Sequence, residues 1–154
     1  MHPNKPNVLG IVSFKVFPAL MGGQKYIVDY YRELAKQTKV VLAVSKDNKE
    51  AASTETSLNL LPFLFNHWYG FLNIFYCFKL IQIIKKEQID LIIIDHSYYG
   101  WLGILLRLFT GKKLIIKSAN LEAFRFRDMG RWGWKFYEIY EKWVHQKADR
   151  NFFI

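Results

Sequence analysis

The stretch DLIIIDHSYYGWLGILLRLFTGKKLIIK, Asp90 to Lys117, decides the fold. Leu91-Ile92-Ile93-Ile94, bracketed by Asp90 and Asp95, is the unbroken apolar run of a strand covered on both faces. Tyr98 to Phe109 follows as an apolar helix, and Gly111 stands where a helix-closing glycine belongs. Lys112 to Lys117 returns as another buried run. Strand, helix, strand at this spacing is a parallel crossover unit.

Outward from this unit the pattern repeats. Val8 to Ser13 reads as a first strand, and Ile27, Tyr30, Tyr31, Leu34 and Ala35 recur at helical spacing behind Gly23. Lys39 to Val44 is a second strand, Lys46 to Thr56 a polar loop, and Leu58 to Leu61 a short third strand that Pro62 stops. A long helix is expected over His67 to Lys86, apolar almost all round between Trp68 and Phe78, yet short of the apolar length that spans a membrane. Arg131 to Lys147 reads as an amphipathic helix with Trp132, Phe136, Ile139, Tyr140, Trp143 and Val144 on one side. Arg150 to Ile154 reads as a sixth strand beginning, so the chain is expected to be a truncated piece. The pattern predicts an α/β fold: a Rossmann-like, doubly wound parallel sheet in three α/β/α layers, with strand order 3-2-1-4-5-6.

The totals narrow the partners. The 154 residues include 22 Lys and Arg against 13 Asp and Glu, a net charge of +9, which favours anionic partners: a phospholipid surface, nucleic acid or phosphorylated small molecules, among which charge does not choose. The single cysteine, Cys77, lies in an apolar segment and reads as a small buried hydrophobe in a reducing compartment. Cysteine and histidine spacing shows no zinc pattern. The first residues lack the apolar core of a signal peptide, so a cytoplasmic chain is expected.

In an open parallel sheet, ligands sit at the carboxyl ends of the strands. Three segments are expected there. The first is Ser13 to Gly23, whose Gly22-Gly23 pair matches neither the dinucleotide nor the P-loop fingerprint. It is either a plain loop before a helix or a helix N-terminus whose amides face an anion, left approachable by missing side chains. The second is Asp95 to Tyr99, where His96 either donates to a sugar hydroxyl or developing charge, or bonds a neighbouring loop. The third is Ser118 to Arg127: Asn120 and Glu122 suit hydroxyls and Arg125 and Arg127 suit phosphate, unless the segment is a capped loop with a solvated basic face. His67 and His145 read as packing or surface residues, and Glu138 and Glu141 as surface partners of Lys135 or Lys142.

Taken in order, these pieces resemble the N-terminal lobe of GT-B glycosyltransferases of the family 4 type. The resemblance rests on the loop ending in Gly22-Gly23, the strand Asp90 to Ile94 leading to His96, and Ser118-Ala-Asn-Leu-Glu122. It continues through Phe124-Arg125-Phe126-Arg127, Tyr140-Glu-Lys-Trp143 and Ala148-Asp149, and so covers essentially the whole chain. Ala119 departs from the pattern, since relatives commonly place a histidine there.

The resemblance implies that residues 1–154 form the acceptor-side lobe of a retaining, metal-independent glycosyltransferase, inactive without a C-terminal donor lobe. It implies a nucleotide-sugar donor as substrate rather than a cofactor, a glycan or lipid-linked acceptor as in cell-envelope polysaccharide synthesis, and no nucleic acid. His96 would face the reacting sugar; Gly22, Gly23, Asn120, Glu122 and Arg125 would hold substrate or donor phosphate. The donor lobes of such enzymes carry Glu-x7-Glu, and no two glutamates stand eight apart here. The rival reading is a stand-alone basic module for nucleic acid or an anionic membrane. Peripheral membrane contact is also expected through the aromatic stretch Phe63 to Phe78, which Lys79, Lys85 and Lys86 follow.

Overall fold

The computed structural model describes residues 5–65 and 72–153. Six parallel strands form one sheet in the order β3-β2-β1-β4-β5-β6, as the pattern predicts. They are β1 (Val8–Val12), β2 (Val40–Ser45), β3 (Asn59–Leu64), β4 (Leu91–Asp95), β5 (Lys113–Ser118) and β6 (Arg150–Phe153). The helices are α1 (Gly22–Ala35), α2 (Lys49–Thr54), α3 (Phe75–Lys86), α4 (Gly100–Thr110), α5 (Glu122–Asp128) and α6 (Trp134–Lys147). Of the helix expected from His67, the part with His67, Trp68, Tyr69 and Phe71 lies outside the described residues, as does Ile154, while Leu72, Asn73 and Ile74 are not helical and α3 begins only at Phe75.

The four inner strands bury both faces, and period two sorts their residues between two cores, whereas β6 is exposed along its length. Leu9, Ile11, Ile92, Ile94 and Ile116 face a layer made of α3, α4 and α6. Val8, Val40, Leu42 and Ile93 face α1. Leu80 and Ile84 of α3, Leu102 and Leu106 of α4 and Val144 of α6 fill the first core, with Cys77 buried among them. Burial pushes the Cys77 thiol up from its ordinary value, so it stays protonated and inert.

Three expectations change. Strand β3 runs through Pro62 rather than stopping before it. It is an edge strand, where a missing N–H costs no ladder bond, and its pairing shifts register beside that proline. The segment expected as a plain polar loop holds a 3-10 turn, Lys46–Asn48, followed by α2. Asn48 is buried there and ties two loops together: its amide oxygen accepts from Val16 and Phe17 N–H at 2.9 and 3.0 Å, and its amide nitrogen donates to the Phe14 carbonyl at 3.2 Å. That clamp fixes the loop leading to Gly22.

The third change concerns α6, which turns a different side inward from the one its hydrophobicity suggests. Tyr137, Tyr140, Glu141 and Val144 face the protein, whereas Trp132, Phe136 and Ile139 project outward. Polar bonds explain the rotation. The Tyr140 hydroxyl donates to the Ser97 and Tyr98 carbonyls at 3.1 and 3.0 Å and accepts from Trp101 N–H at 3.1 Å, so it closes the β4–α4 junction. Glu141 anchors α5.

Helix α4 reaches the sheet only because Gly103 is bare. A Cβ there would lie inside van der Waals contact of Ile94 Cδ1 and 2.9 Å from Leu114 Cδ1. Overpacking of this kind costs roughly 1–3 kcal/mol. We expect Gly103→Ala to lower unfolding stability by about that amount in urea titrations, even though alanine is the better helix former. An unchanged or raised midpoint would show that α4 can shift away from the sheet.

Candidate functional site

The site is built on two adjacent strand ends. Asp95 closes β4, Lys117 lies near the end of β5, and the two are register partners. In-register side chains point to the same face. Lys117 Nζ lies 2.7 Å from Asp95 Oδ1, with both side chains almost fully buried. Tyr31 of α1 donates its hydroxyl to Asp95 Oδ2 at 2.6 Å. The Lys117 ammonium also lies over the Tyr30 ring, 3.9 Å from its centroid, with the Tyr31 and Tyr26 rings at 4.9 and 5.0 Å. Burial pushes the Asp95 carboxyl up, and the Lys117 charge pulls it partly back. Burial likewise pushes Lys117 down, against the pull of Asp95. The Tyr31 phenol is driven well above its ordinary value by burial and by the adjacent carboxylate.

His96 sits directly on this floor. Its φ of 64° is left-handed, a conformation that non-glycine residues seldom adopt and that the surroundings must hold. Its amide donates to the Lys117 carbonyl at 2.8 Å. Nδ1 lies 3.3 Å from Glu122 Oε1. An ionised carboxylate only accepts, so this contact favours a proton on the facing nitrogen, Nδ1.

Glu122 is fully buried at the start of α5, with its hydrogen bonds made through Oε2 and the His96 contact at Oε1. Tyr98 donates to Oε2 at 2.6 Å and Arg125 Nη1 at 3.1 Å. Burial alone would push its carboxyl up, but hydrogen bonds from His96 and Tyr98, with the His96 and Arg125 charges, outweigh it and hold the carboxyl below its ordinary value. Glu141 completes the arrangement from α6. Its carboxylate accepts from Glu122 and Ala123 N–H at 3.1 and 3.0 Å, the free amides at the start of α5. It also accepts from Ser97 Oγ at 2.7 Å.

A pocket of about 210 Å³ opens above the floor. Gly22 and Gly23 form one edge, His96 and Ala119 the other, with Phe14 and Tyr26 as apolar walls. A Cβ at Gly22 or Gly23 would meet nothing within 4 Å, so no packing demand explains these glycines. Gln24 tightens the turn before them by accepting from Leu20 and Met21 N–H, both at 3.0 Å.

The structure thus brings Gly22, Gly23 and His96 to one pocket at the strands' carboxyl ends. It does not place the other expected residues in the same way. Asn120 is exposed at the rim beside Ala119. Glu122 is not a free hydroxyl binder, because it has no exposed surface and its oxygens hold His96, Tyr98 and Arg125. Arg125 leans on Glu122 with its side chain half exposed, and Arg127 pairs with Asp128 at 3.1 Å. Glu138 does pair with Lys142, at 2.8 Å, but Glu141 is a buried helix cap rather than a surface partner. His145 packs against β6 through Asn151. Sequence reasoning passed over Asp95, Lys117 and the α1 tyrosines. The available signal was a lysine at the end of an apolar strand, next to a strand ending in aspartate.

The sequence model of glycosyltransferase family 4 matches residues 20–154. The chain belongs to this family. Among solved structures it is similar to the glycotransferase of kitacinnamycin, at 16% identity and a TM-score of 0.51, over 93% of this chain and 41% of that one. It is also similar to a protein described as a UDP-N-acetylglucosamine 2-epimerase from Listeria monocytogenes, at 11% identity and a TM-score of 0.56, over 96% and 39%. At these identities the two show the Rossmann-like fold alone. The family 4 chain spans about two fifths of the length of either structure. No curated protein matches it.

The carboxylate under His96 gives a pH signature. A carboxyl held low in the folded state adds stability above its unfolded value, here 4.5, and loses it as the pH falls through the lower folded value. We expect Glu122→Gln to lower stability by about 1–3 kcal/mol at neutral pH and to flatten this acid limb, in urea melts at neutral and acidic pH. A variant with wild-type stability and an unchanged acid limb would remove Glu122 from the account.

Proposed function

We propose that this chain is the acceptor-side lobe of a retaining, metal-independent family 4 glycosyltransferase of GT-B architecture. It would move a hexose from a nucleotide-sugar to a glycan or lipid-linked acceptor, as in envelope polysaccharide synthesis, in the reducing cytoplasm that a lone buried cysteine suits. One observation carries this reading: His96 and the bare Gly22-Gly23 edge of α1 face the same pocket at the sheet's carboxyl ends. Family membership gives the reaction class, a sugar transfer.

The geometry supports the following roles. The first turn of α1 offers amides and the positive end of a helix dipole to a phosphate group. Apolar walls at Phe14 and Tyr26 suit the carbon faces of a sugar ring. His96, oriented through Nδ1 by Glu122, presents Nε2 to a sugar hydroxyl. In the transfer, the acceptor oxygen bonds to the sugar's anomeric carbon as the bond to the nucleotide's phosphate oxygen breaks, and the acceptor proton leaves with the phosphate. A donor lobe supplies the remaining contacts to the nucleotide, so residues 1–154 alone are proposed to be inactive.

The test uses the full-length protein. His96→Ala should lower turnover by about 10²-fold or more with a much smaller change in melting temperature. His96→Asn is the second variant, because asparagine tolerates the left-handed backbone and separates strain from lost chemistry. Undiminished turnover in both would make His96 a packing residue and sink the reading.

A further inference from the structure

Ile27, Val28 and Tyr31 anchor α1 to the core and leave another flank of the helix open. A groove of about 460 Å³ runs along that flank, lined by Tyr26, Asp29, Tyr30, Glu33, Leu34 and Gln37. The spacing explains its shape. Tyr26, Tyr30 and Leu34 stand four apart and form one ridge, while Asp29, Glu33 and Gln37 form the next ridge beside it. Between Tyr26 and Leu34 the helix advances about 12 Å, enough for more than one sugar ring. Tyr26 is also a wall of the His96 pocket, so groove and pocket meet at one ring.

The two ridges differ in chemistry. The Tyr26 and Tyr30 rings are stacked, with centroids 6.3 Å apart and planes 26° from parallel. Both are held from the protein side. The buried Lys117 ammonium lies 5.0 and 3.9 Å from their centroids, and Tyr30 meets the Tyr31 ring edge-on at 5.1 Å. An aromatic platform fixed before binding loses little freedom when a ligand arrives. The second ridge is exposed and polar. Among the described residues no side chain holds the Asp29 carboxylate or the Gln37 amide. Glu33 gives one oxygen to Lys36 at 2.6 Å and keeps the other. On a chain of net charge +9, this groove is lined by two carboxylates and no base.

We propose that the groove binds an uncharged oligosaccharide: the acceptor's glycan chain, leading away from the His96 pocket along α1. The carbon faces of sugar rings pack on the tyrosine rings, and the carboxylate and amide oxygens of the second ridge accept from sugar hydroxyls. Charge selects the occupant. A phosphorylated chain, a uronic-acid polymer or a lipid phosphate would meet Asp29 and Glu33 with like charge, whereas a neutral glycan would not. The word acceptor rests on the transferase reading above; the binding of a neutral glycan rests on the groove's lining alone.

A glycan array tests it, with the full-length protein and printed oligomers of glucan, mannan, chitin, polygalacturonate and phosphoglycan. Neutral chains should be retained and the two anionic ones should not. In titration calorimetry, the neutral hexasaccharide retained most strongly should bind at least about tenfold more tightly than its own disaccharide, because the longer chain reaches the carboxylates. The variant Asp29→Ala/Glu33→Ala alters exposed groups, so its circular dichroism should match wild type while most of that chain-length advantage disappears. Tyr26→Ala should weaken hexasaccharide binding by about tenfold. The proposal is overturned if no neutral chain is retained, if the anionic chains are preferred, or if the double variant binds the hexasaccharide as wild type does. Transfer assays on the same glycans keep the two readings apart. Binding without transfer upholds the groove and sinks the transferase reading; transfer with no dependence on chain length upholds the enzyme and sinks the groove.

Discussion

A carboxylate and an ammonium, buried side by side at the ends of β4 and β5, hold the top of this sheet together. Desolvating two charges costs several kcal/mol each, and their attraction offsets that only with good geometry and further bonds. Here the pair is close, the further hydrogen bond falls to the carboxylate, and the ammonium is met by aromatic rings. Strand register places them 2.7 Å apart, the Tyr31 hydroxyl takes the second carboxylate oxygen, and three tyrosine rings surround the ammonium. The cluster joins β4, β5 and α1, the three elements that border the pocket. An ionic floor of this kind favours one arrangement of those elements, because any slip would leave a charge buried alone.

The chemistry above the floor inherits that order. His96 follows Asp95 in a left-handed turn, and its amide is tied to the carbonyl of Lys117, so the imidazole starts from a point fixed by the pair. The second constraint comes from the far side. Glu141 on α6 caps α5, α5 presents Glu122, and Glu122 holds the imidazole Nδ1. Two carboxylates with no exposed carboxyl group therefore sit behind one histidine without touching the pocket themselves. The same Glu141 keeps the inner side of α6 polar, which is why its apolar stripe is left facing outward.

Much of this was legible in the sequence, and the failures share a cause. Unbroken runs such as Leu91 to Ile94 specify strands buried on both faces, and the crossover rule orders them. Gly22-Gly23 and His96 could be placed at the pocket because position at a strand's carboxyl end is a topological fact. Pro62 misled because tolerance of proline depends on whether a strand lies at the edge, which is known only once the sheet is ordered. Glu122, Glu141 and the facing of α6 misled because amphipathicity assumes that apolar residues go inward. Here a few strong polar bonds decided the rotation, and partners up to 44 positions apart do not show in local spacing.

The central claim is that the Asp95–Lys117 pair organises the floor of the site, and a double-mutant cycle on stability measures it most directly. Lys117→Met and Asp95→Asn should each cost about 3–5 kcal/mol, because each leaves a buried polar group without its partner. The double variant should cost clearly less than the sum of the two. Small single costs that simply add would show that the two side chains are neighbours without coupling, and would contradict the account.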